Sequence, residues 1–203
     1  MKNKKTLIEF PCNKRDQIIK AAEHLFLNNG FSTTSMEIIS HEAKVSKATL
    51  YNYFDSKEML FAHVIKNRCE TFASLLSENL KEDRSLKENL IFIGKSFLNK
   101  ILDKDSINLF RIIVSESKHF PELSQAFFNN GVMKGTEVIA NFLMEKGKVL
   151  NISDYNKAAE FFLTTLIGHL HLKATLGVLD NNSNIIADDF IIEKIELFLR
   201  CYE

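Results

Sequence analysis

The chain of 203 residues has few residues that interrupt helices, with only two prolines and seven glycines. No segment shows the alternation of apolar and polar residues that is typical of a half-buried strand. Apolar residues instead recur at helical spacing nearly throughout, which predicts an all-α fold of about nine helices. These features exclude an architecture based on β-sheet.

Cysteine is also scarce. Cys12, Cys69 and Cys201 are odd in number and widely spaced, and the sequence has no CxxC or cysteine–histidine spacing typical of a metal site. We therefore expect a reducing, cytoplasmic environment, with no metal and no cofactor. No apolar run approaches the roughly 18 residues that cross a bilayer, and no signal-peptide core follows residues 1–5, so no membrane association is expected.

Net charge is absent as well, since Lys+Arg and Asp+Glu number 26 each. The total charge therefore gives no indication of a nucleic-acid partner. The distribution is uneven, because residues 1–57 contain nine basic and six acidic side chains, a surplus of three positive charges. A basic N-terminal part on an acidic body suits local contact with phosphate, although a bias of this size is also common by chance.

The most informative segment is residues 35–57, SMEIISHEAKVSKATLYNYFDSK. It predicts two short helices, whose N-cap hydroxyls are those of Ser35 and Ser46, joined by a tight turn. The second helix, residues 47–54, carries polar and aromatic side chains that a buried helix does not need. This is the pattern of a helix-turn-helix whose second helix enters the major groove of DNA.

The stretch Ser46 to Phe54, with Ser56-Lys57-Glu58 after it, resembles the recognition region of TetR-family transcriptional regulators. The resemblance covers residues 14–62, and extends more loosely to the nine-helix layout. Its upstream matches are Ala21-Ala22, Leu25-Phe26, Asn29-Gly30-Phe31, Thr34-Ser35, Ile39 and Ala43. It implies a DNA-binding domain over residues 1–60, with the helix-turn-helix at about 35–54, and an effector-binding and dimerisation domain over residues 61–203.

Two positions depart from the family pattern. The turn usually has glycine where this chain has Lys44, and a left-handed lysine would cost about 1 kcal/mol relative to glycine. The alanine that usually follows Ile39 is replaced by Ser40, whose hydroxyl we expect to bond back into its own helix. Neither departure removes the motif.

The recognition helix carries most of the residues that we expect to contact DNA. Lys47 is placed for a guanine edge or a phosphate, and Asn52 for adenine. Tyr51 and Tyr53 would pack on the sugar-phosphate wall, although Tyr51 could instead be half-buried against the first helix. The full predicted set is Thr34, Ser35, Ser46, Lys47, Ala48, Thr49, Tyr51, Asn52, Tyr53 and Lys57.

The reasons differ for the remaining members of this set. Ala48 allows close approach, and Thr49 can donate to phosphate or touch a thymine methyl. Thr34, Ser35 and Lys57 lie near helix starts where phosphate is favoured, and Ser46 acts first as a cap. The N-terminal arm, with Lys2, Lys4 and Lys5, would either trail into a minor groove or be simply solvated.

The rest of the chain is rich in phenylalanine, with 17 and no tryptophan. An apolar pocket for a largely apolar small-molecule effector is plausible, although phenylalanine at helical spacing is more often plain core. The effector contacts stay unknown. Polar candidates in the body, none of them assigned, are Asn99, Arg111, Glu116, His119 and His169.

The last two predicted helices, about residues 153–177 and 188–201, have wide apolar faces. Two copies would form a four-helix interface, so we expect a homodimer through these helices. The leading hypothesis is a repressor that binds a palindromic double-stranded operator and is released by the effector. A protein-binding adaptor that retains the fold stays open as an alternative. An enzyme is not expected, because no nucleophile–base arrangement, glycine-rich phosphate loop or metal spacing is visible.

Overall fold

The computed structural model describes residues 13–80, 83–179 and 188–203, apart from the side chain of Ser77. Within these ranges every regular element is helical, which confirms the all-α fold class. The helices are α1 (Lys14–Asn29), α2 (Met36–Glu42), α3 (Lys47–Tyr53), α4 (Lys57–Asn79), α5 (Leu86–Leu102), α6 (Lys104–Glu116), α7 (Pro121–Phe127), α8 (Lys134–Lys146), α9 (Tyr155–Ile167), α10 (Leu170–Leu176) and α11 (Asp188–Arg200). None of these helices has the length and hydropathy needed to cross a bilayer.

The chain divides into two compact units, residues 1–64 and 65–203, called here the N-terminal and C-terminal units. The N-terminal unit closes around Phe26, Phe31 and Phe61, all fully buried. Their ring centroids lie 5.3–5.5 Å apart, two of the three pairs edge to face. Such pairs add about 0.5–1.5 kcal/mol each beyond the burial of their area.

The helices of the N-terminal unit begin and end at residues suited to those positions. The hydroxyls of Ser35 and Ser56 accept the N–H groups of residues three positions on, at 3.2 and 3.1 Å. Gly30 ends α1 with a φ of +88°, and its N–H donates to the Phe26 carbonyl at 3.0 Å. Local hydrogen bonds therefore set the start of α2 and α4 and the end of α1.

The core of the C-terminal unit is built mainly from α5, α8, α9 and α11. Its fully buried members include Leu90, Phe162, Ile195 and Phe198. Helix α5 begins with the predicted capping box, in which Ser85 and Glu88 exchange side-chain and backbone hydrogen bonds. This reciprocal pairing satisfies two N–H groups at the start of the helix.

Two predicted helices of the C-terminal unit are interrupted. The helix predicted from Pro121 to Lys146 passes through a π-helical segment, Phe128–Met133, between α7 and α8. The helix predicted over residues 153–177 ends at Ile167, where Gly168 has φ +43° and ψ −133°, and α10 then begins at Leu170. Glycine alone adopts that backbone conformation readily, so Gly168 divides one predicted helix into two.

Candidate nucleic-acid interface and ligand cavity

Helix α3 has one buried and one exposed side. Leu50 in the helix and Phe54 directly after it are fully buried, and they fix α3 in the N-terminal unit. Tyr51 and Tyr53 each keep 42% of their surface exposed. The exposed side chains of α3 are Lys47, Ala48, Tyr51, Asn52 and Tyr53. Five of the predicted DNA-contacting residues are therefore exposed on α3, and they include a cation, an amide and two phenols.

The first turn of α3 is closed by Ser46. Its hydroxyl accepts the N–H of Thr49 at 3.0 Å, and the two hydroxyl oxygens lie 2.8 Å apart. Thr49 is half-buried, while Ser46 is exposed. The cap role of Ser46 is therefore present in the structure, and the two hydroxyls form one hydrogen-bonded pair.

The turn before α3 has the conformation expected from the family pattern. Lys44 has φ +52°, and in the described residues no other side-chain-bearing residue has a positive φ. The N–H of Val45 closes the turn on the Ser40 carbonyl at 3.0 Å. The Ser40 hydroxyl donates to the Glu37 carbonyl at 2.8 Å, so the expected bond back into α2 is confirmed.

Thr34 departs from the sequence prediction. Its side chain is 1% exposed, and its hydroxyl donates to the Gly30 carbonyl at 2.7 Å. Its backbone N–H is also used, donating to the Phe31 carbonyl at 3.2 Å. This burial contradicts the prediction that Thr34 contacts phosphate, because the hydroxyl is turned inward to tie the end of α1 to the start of α2. Its neighbour Ser35 is exposed.

Lys57 also has an internal role that the sequence did not indicate. Its Nζ donates to the Phe31 carbonyl at 2.8 Å and lies 4.2 Å from the centre of the Phe31 ring. A cation in this position stabilises the N-terminal unit. Contact between Lys57 and DNA stays a prediction. The arm with Lys2, Lys4 and Lys5, together with Cys12, lies outside the described residues.

The C-terminal unit contains a cavity of about 560 Å³. Residues 65–76 of α4, α5 to α10 and the π-helical segment contribute to its wall. Two ring pairs in the wall, Phe72 with Phe97 and Phe110 with Phe127, have centroids 6.2 and 5.9 Å apart. Volume and apolar lining are those of a site for a small organic molecule. The phenylalanines that line the cavity are Phe72, Phe97, Phe110, Phe127 and Phe128.

The π-helical segment forms part of this wall through Phe128, Gly131, Val132 and Met133. None of the six residues of the segment is buried. π-Helical turns are rare in proteins, and those that occur often lie at functional sites. The position of this segment in the cavity wall is therefore consistent with a binding cavity. Apolar periodicity gave no signal for this segment.

Polar groups are few in the cavity wall. Arg68 donates from Nη2 to the Ser106 hydroxyl at 3.4 Å. His171 packs edge to face on Phe110 with centroids 4.6 Å apart, and burial lowers the pKa of its imidazole. The imidazole is therefore neutral near pH 7 and can both donate and accept a hydrogen bond.

The polar candidates named from the sequence do not line the cavity: Asn99, Arg111, Glu116, His119 and His169 are all absent from its wall. Arg111 instead donates to the carbonyls of Ala174 and Thr175 at the end of α10. The lining residues Arg68, Lys100 and His171 were missed, since only the packing of several helices brings them together. Within residues 13–80, 83–179 and 188–203 no group of three His, Cys, Asp or Glu side chains has a metal-binding arrangement.

Comparison with known proteins identifies both parts of the chain. Residues 18–64 match the family described as bacterial regulatory proteins, tetR family. Residues 88–203 match the C-terminal domain of AefR-like transcriptional repressors. The chain belongs to the TetR family of transcriptional regulators. The family predicted from the sequence is thereby confirmed.

Individual members of the family resemble the chain to different extents. The flavonoid-responsive regulator FrrA is 37% identical, with a TM-score of 0.75 over 93% of this chain and 96% of that chain. GusR of Salmonella enterica, at 23% identity and a TM-score of 0.69, shows the same fold. The fatty acid metabolism regulator protein of Bacillus subtilis is 33% identical over 82 residues, which span 40% of this chain and 42% of that protein. The chain thus covers less than half of that regulator's length.

One further TetR-family relative matches over nearly its whole length. The biofilm operon negative transcriptional regulator IcaR of Staphylococcus epidermidis is 22% identical over 92% of this chain and 99% of that protein.

Proposed function

We propose that this TetR-family chain is a cytoplasmic, homodimeric repressor that leaves a palindromic operator when a largely apolar, aromatic small molecule occupies its cavity. Residues 1–60 would read DNA, and residues 61–203 would bind the effector and dimerise. The observation that carries the proposal is the presence, in one chain, of an exposed polar recognition helix and a phenylalanine-lined cavity.

The DNA-reading part of the proposal rests on α3. Lys47 and Asn52 would contact base edges in the major groove, and Tyr51 and Tyr53 the phosphate wall. Ser35, Ser46, Ala48, Thr49 and Lys57 would complete the interface. Thr34 is left out, because its hydroxyl is buried on the Gly30 carbonyl.

The dimer part rests on α9, α10 and α11, the last helices of the chain. Four apolar side chains on these helices have 38% to 66% of their surface exposed, so they are not part of the core of a single chain. These side chains are Phe161, Leu172, Leu176 and Leu197. Pairing of these helices would bury them and would present two copies of α3 to successive major grooves, roughly 34–36 Å apart.

The effector part rests on the cavity and on one relative. FrrA is described as flavonoid-responsive, and it is similar to this chain over nearly the whole length of both. A cavity of about 560 Å³ with five phenylalanines in its wall suits a planar aromatic molecule that is small enough to fit inside it. We therefore propose a flavonoid-like aromatic compound as the effector class.

The effector would act through α4. This helix contributes Arg68, Cys69 and Phe72 to the cavity wall, and it begins at Lys57 in the N-terminal unit. A ligand that shifts α4 would change how α3 is presented to DNA. Such coupling is typically about 1–3 kcal/mol and reciprocal, so operator DNA must weaken effector binding by the same factor.

The proposal is tested by selecting bound sequences from a random DNA pool and then titrating the enriched operator in a fluorescence-anisotropy assay. We expect an enriched palindrome, an affinity that falls steeply with salt, and release on addition of a flavonoid such as naringenin. Enrichment of no sequence would contradict the proposal and favour a protein-binding adaptor.

A cavity-blocking variant sharpens this test. A Cβ added at Gly135 would lie 3.9 Å from Phe97, an ordinary contact, so Gly135→Ala should fold and respond normally. Gly135→Phe should fill the cavity, keep operator affinity and lose release by the flavonoid. Release that survives in Gly135→Phe would place the effector elsewhere.

A further inference from the structure

We propose that the effector is an organic anion, an aromatic compound whose carboxylate or ionised phenol is bound by Arg68 and Lys100 in the cavity wall. This inference rests on the proposed function, since it names the chemical class of ligand for the same cavity. It is carried by the arrangement of charges around the apolar space.

Arg68, Lys100 and Ser106 converge on one part of the cavity wall. Arg68 Nη2 lies 3.4 Å from the Ser106 Oγ, and Ser106 Oγ donates to Asp103 Oδ2 at 2.8 Å. Lys100 Nζ lies 3.5 Å from the same Asp103 oxygen. The Asp103 carboxylate thus contacts Lys100 and Ser106, and Ser106 in turn contacts Arg68.

Asp103 itself is not part of the cavity wall. It is the N-cap of α6, and its Oδ1 accepts the N–H of Ser106 at 2.8 Å. The carboxylate thus contacts Lys100 and Ser106 from outside the wall, while Arg68, Lys100 and Ser106 are themselves wall residues. Arg68, Lys100 and Ser106 therefore offer two cations and a hydroxyl to an anionic ligand group.

The charges of Arg68 and Lys100 act on the pKa values of two neighbouring groups, Asp103 and Cys69. Burial alone would raise the pKa of Asp103, but hydrogen bonds from Ser106 and the charges of Lys100 and Arg68 hold it below its ordinary value. Burial raises the pKa of the Cys69 thiol, and the same two cations oppose that increase. The positive field therefore reaches the wall residue Cys69, inside the apolar space where a ligand would lie.

The other charged residues of the wall, among those that the structure describes, are Lys134 and Glu160. Lys134 pairs with Glu137 at 2.6 Å, and Glu160 is exposed. Among the described residues, the charged side chains of the wall are thus three cations and one carboxylate. A cationic ligand would be repelled by Arg68 and Lys100, whereas an anion would gain charge-assisted hydrogen bonds in a setting of low dielectric.

Two fluorescent probes with one aromatic skeleton test the inference in the full-length protein. 8-Anilinonaphthalene-1-sulfonate carries a negative charge, and N-phenyl-1-naphthylamine does not. We expect the anion to bind about tenfold more tightly than the neutral probe, because hydrogen bonds from charged groups favour the anion alone. Gly135→Phe should abolish binding of both probes.

Substitutions separate charge from shape. Arg68→Gln and Lys100→Met should each weaken the anion about tenfold and leave the neutral probe unchanged. Unchanged binding of the neutral probe also shows that the variant cavity is folded. Arg68→Lys should keep most of the affinity for the anion. Lys148→Met, which removes an exposed charge outside the cavity wall, is the matched control and should change neither probe.

The outcomes that overturn this inference differ from those that overturn the proposed function. Equal affinity of wild type for both probes, or unchanged anion binding in Arg68→Gln with Lys100→Met, would sink the anion class and leave the cavity as an effector site. If neither probe binds, or if Gly135→Phe binds both normally, the cavity itself is not the effector site.

Discussion

The two units use the same residue, phenylalanine, in two ways. In the N-terminal unit Phe26, Phe31 and Phe61 are fully buried and fill their core. In the C-terminal unit Phe72 and Phe110 keep part of their surface exposed to a cavity. Completeness of packing, rather than residue type, therefore distinguishes the filled core of the N-terminal unit from the part of the C-terminal unit that encloses a cavity.

We expect substitutions of exposed residues on α3, in the N-terminal unit, to have the largest effect. The double variant Lys47→Ala with Tyr53→Ala should lower operator affinity about a hundredfold or more, because each lost base or phosphate contact contributes about 1–3 kcal/mol. Anisotropy with the selected operator measures this loss.

Lys20→Ala is the matched control for that double variant, since Lys20 is an exposed cation on α1 outside the predicted contact set. It should bind the operator normally. Probe binding in the cavity and the melting temperature should stay at wild-type values in both variants. A double variant that binds the operator normally would remove α3 as the reading element. Loss of probe binding in the double variant would show that substitutions in the N-terminal unit also affect ligand binding in the C-terminal unit.

The contrast between the units also explains what the sequence could predict. The N-cap of α3 at Ser46, the left-handed Lys44 and the end of α1 at Gly30 depend on residues within a few positions of one another. These features followed from local hydrogen bonding and backbone geometry. The exposed face of α3 followed as well, since a helix of seven residues with one buried leucine has few other arrangements.

Features that depend on distant residues were missed. The hydroxyl of Thr34 was expected at the surface, but its burial depends on how α1 and α2 pack around Gly30. Arg68 and Ser106 are 38 residues apart, and only the tertiary fold brings their side chains together. The break at Gly168 was also missed, because glycine within an otherwise apolar helical pattern does not by itself end a helix.

Gly168 offers the next largest effect, and it lies in the C-terminal unit. Its φ of +43° with ψ of −133° is a conformation that side-chain-bearing residues adopt only at a cost, so Gly168→Ala should lower the free energy of unfolding by about 1–3 kcal/mol. Helices α9 and α10 on either side both contribute to the cavity wall, and probe binding should weaken too.

Gly177→Ala is the matched control for Gly168→Ala, since Gly177 has a φ of +73° in the ordinary left-handed region. It should cost only about 1 kcal/mol. Chemical denaturation of the two variants measures the difference. Equal stability losses would indicate that the break after α9 is not a glycine-specific conformation.

Thr34 gives a smaller effect, which sharpens the comparison inside the N-terminal unit. Thr34→Val keeps the side-chain volume but removes the hydroxyl that donates to the Gly30 carbonyl, and this should destabilise the protein by about 1 kcal/mol. Operator affinity should not change. Ser35→Ala, at the exposed neighbouring cap, should reduce stability by a similar amount, about 1 kcal/mol, and should also weaken DNA binding. Weaker operator binding by Thr34→Val at full stability would restore Thr34 to the interface.

The smallest expected effect concerns Lys44, the side-chain-bearing residue with a left-handed backbone. Lys44→Gly relieves a cost of about 1–2 kcal/mol in the folded state but gives the unfolded chain more freedom, which offsets about 0.4–1 kcal/mol. The net gain in stability should be about 0.5 kcal/mol. Lys44→Ala keeps the backbone cost and removes only the charge, so its stability should equal that of wild type. Weaker operator binding shared by both variants would then be due to the lost ammonium group, and weaker binding in Lys44→Gly alone would be due to a looser turn before α3.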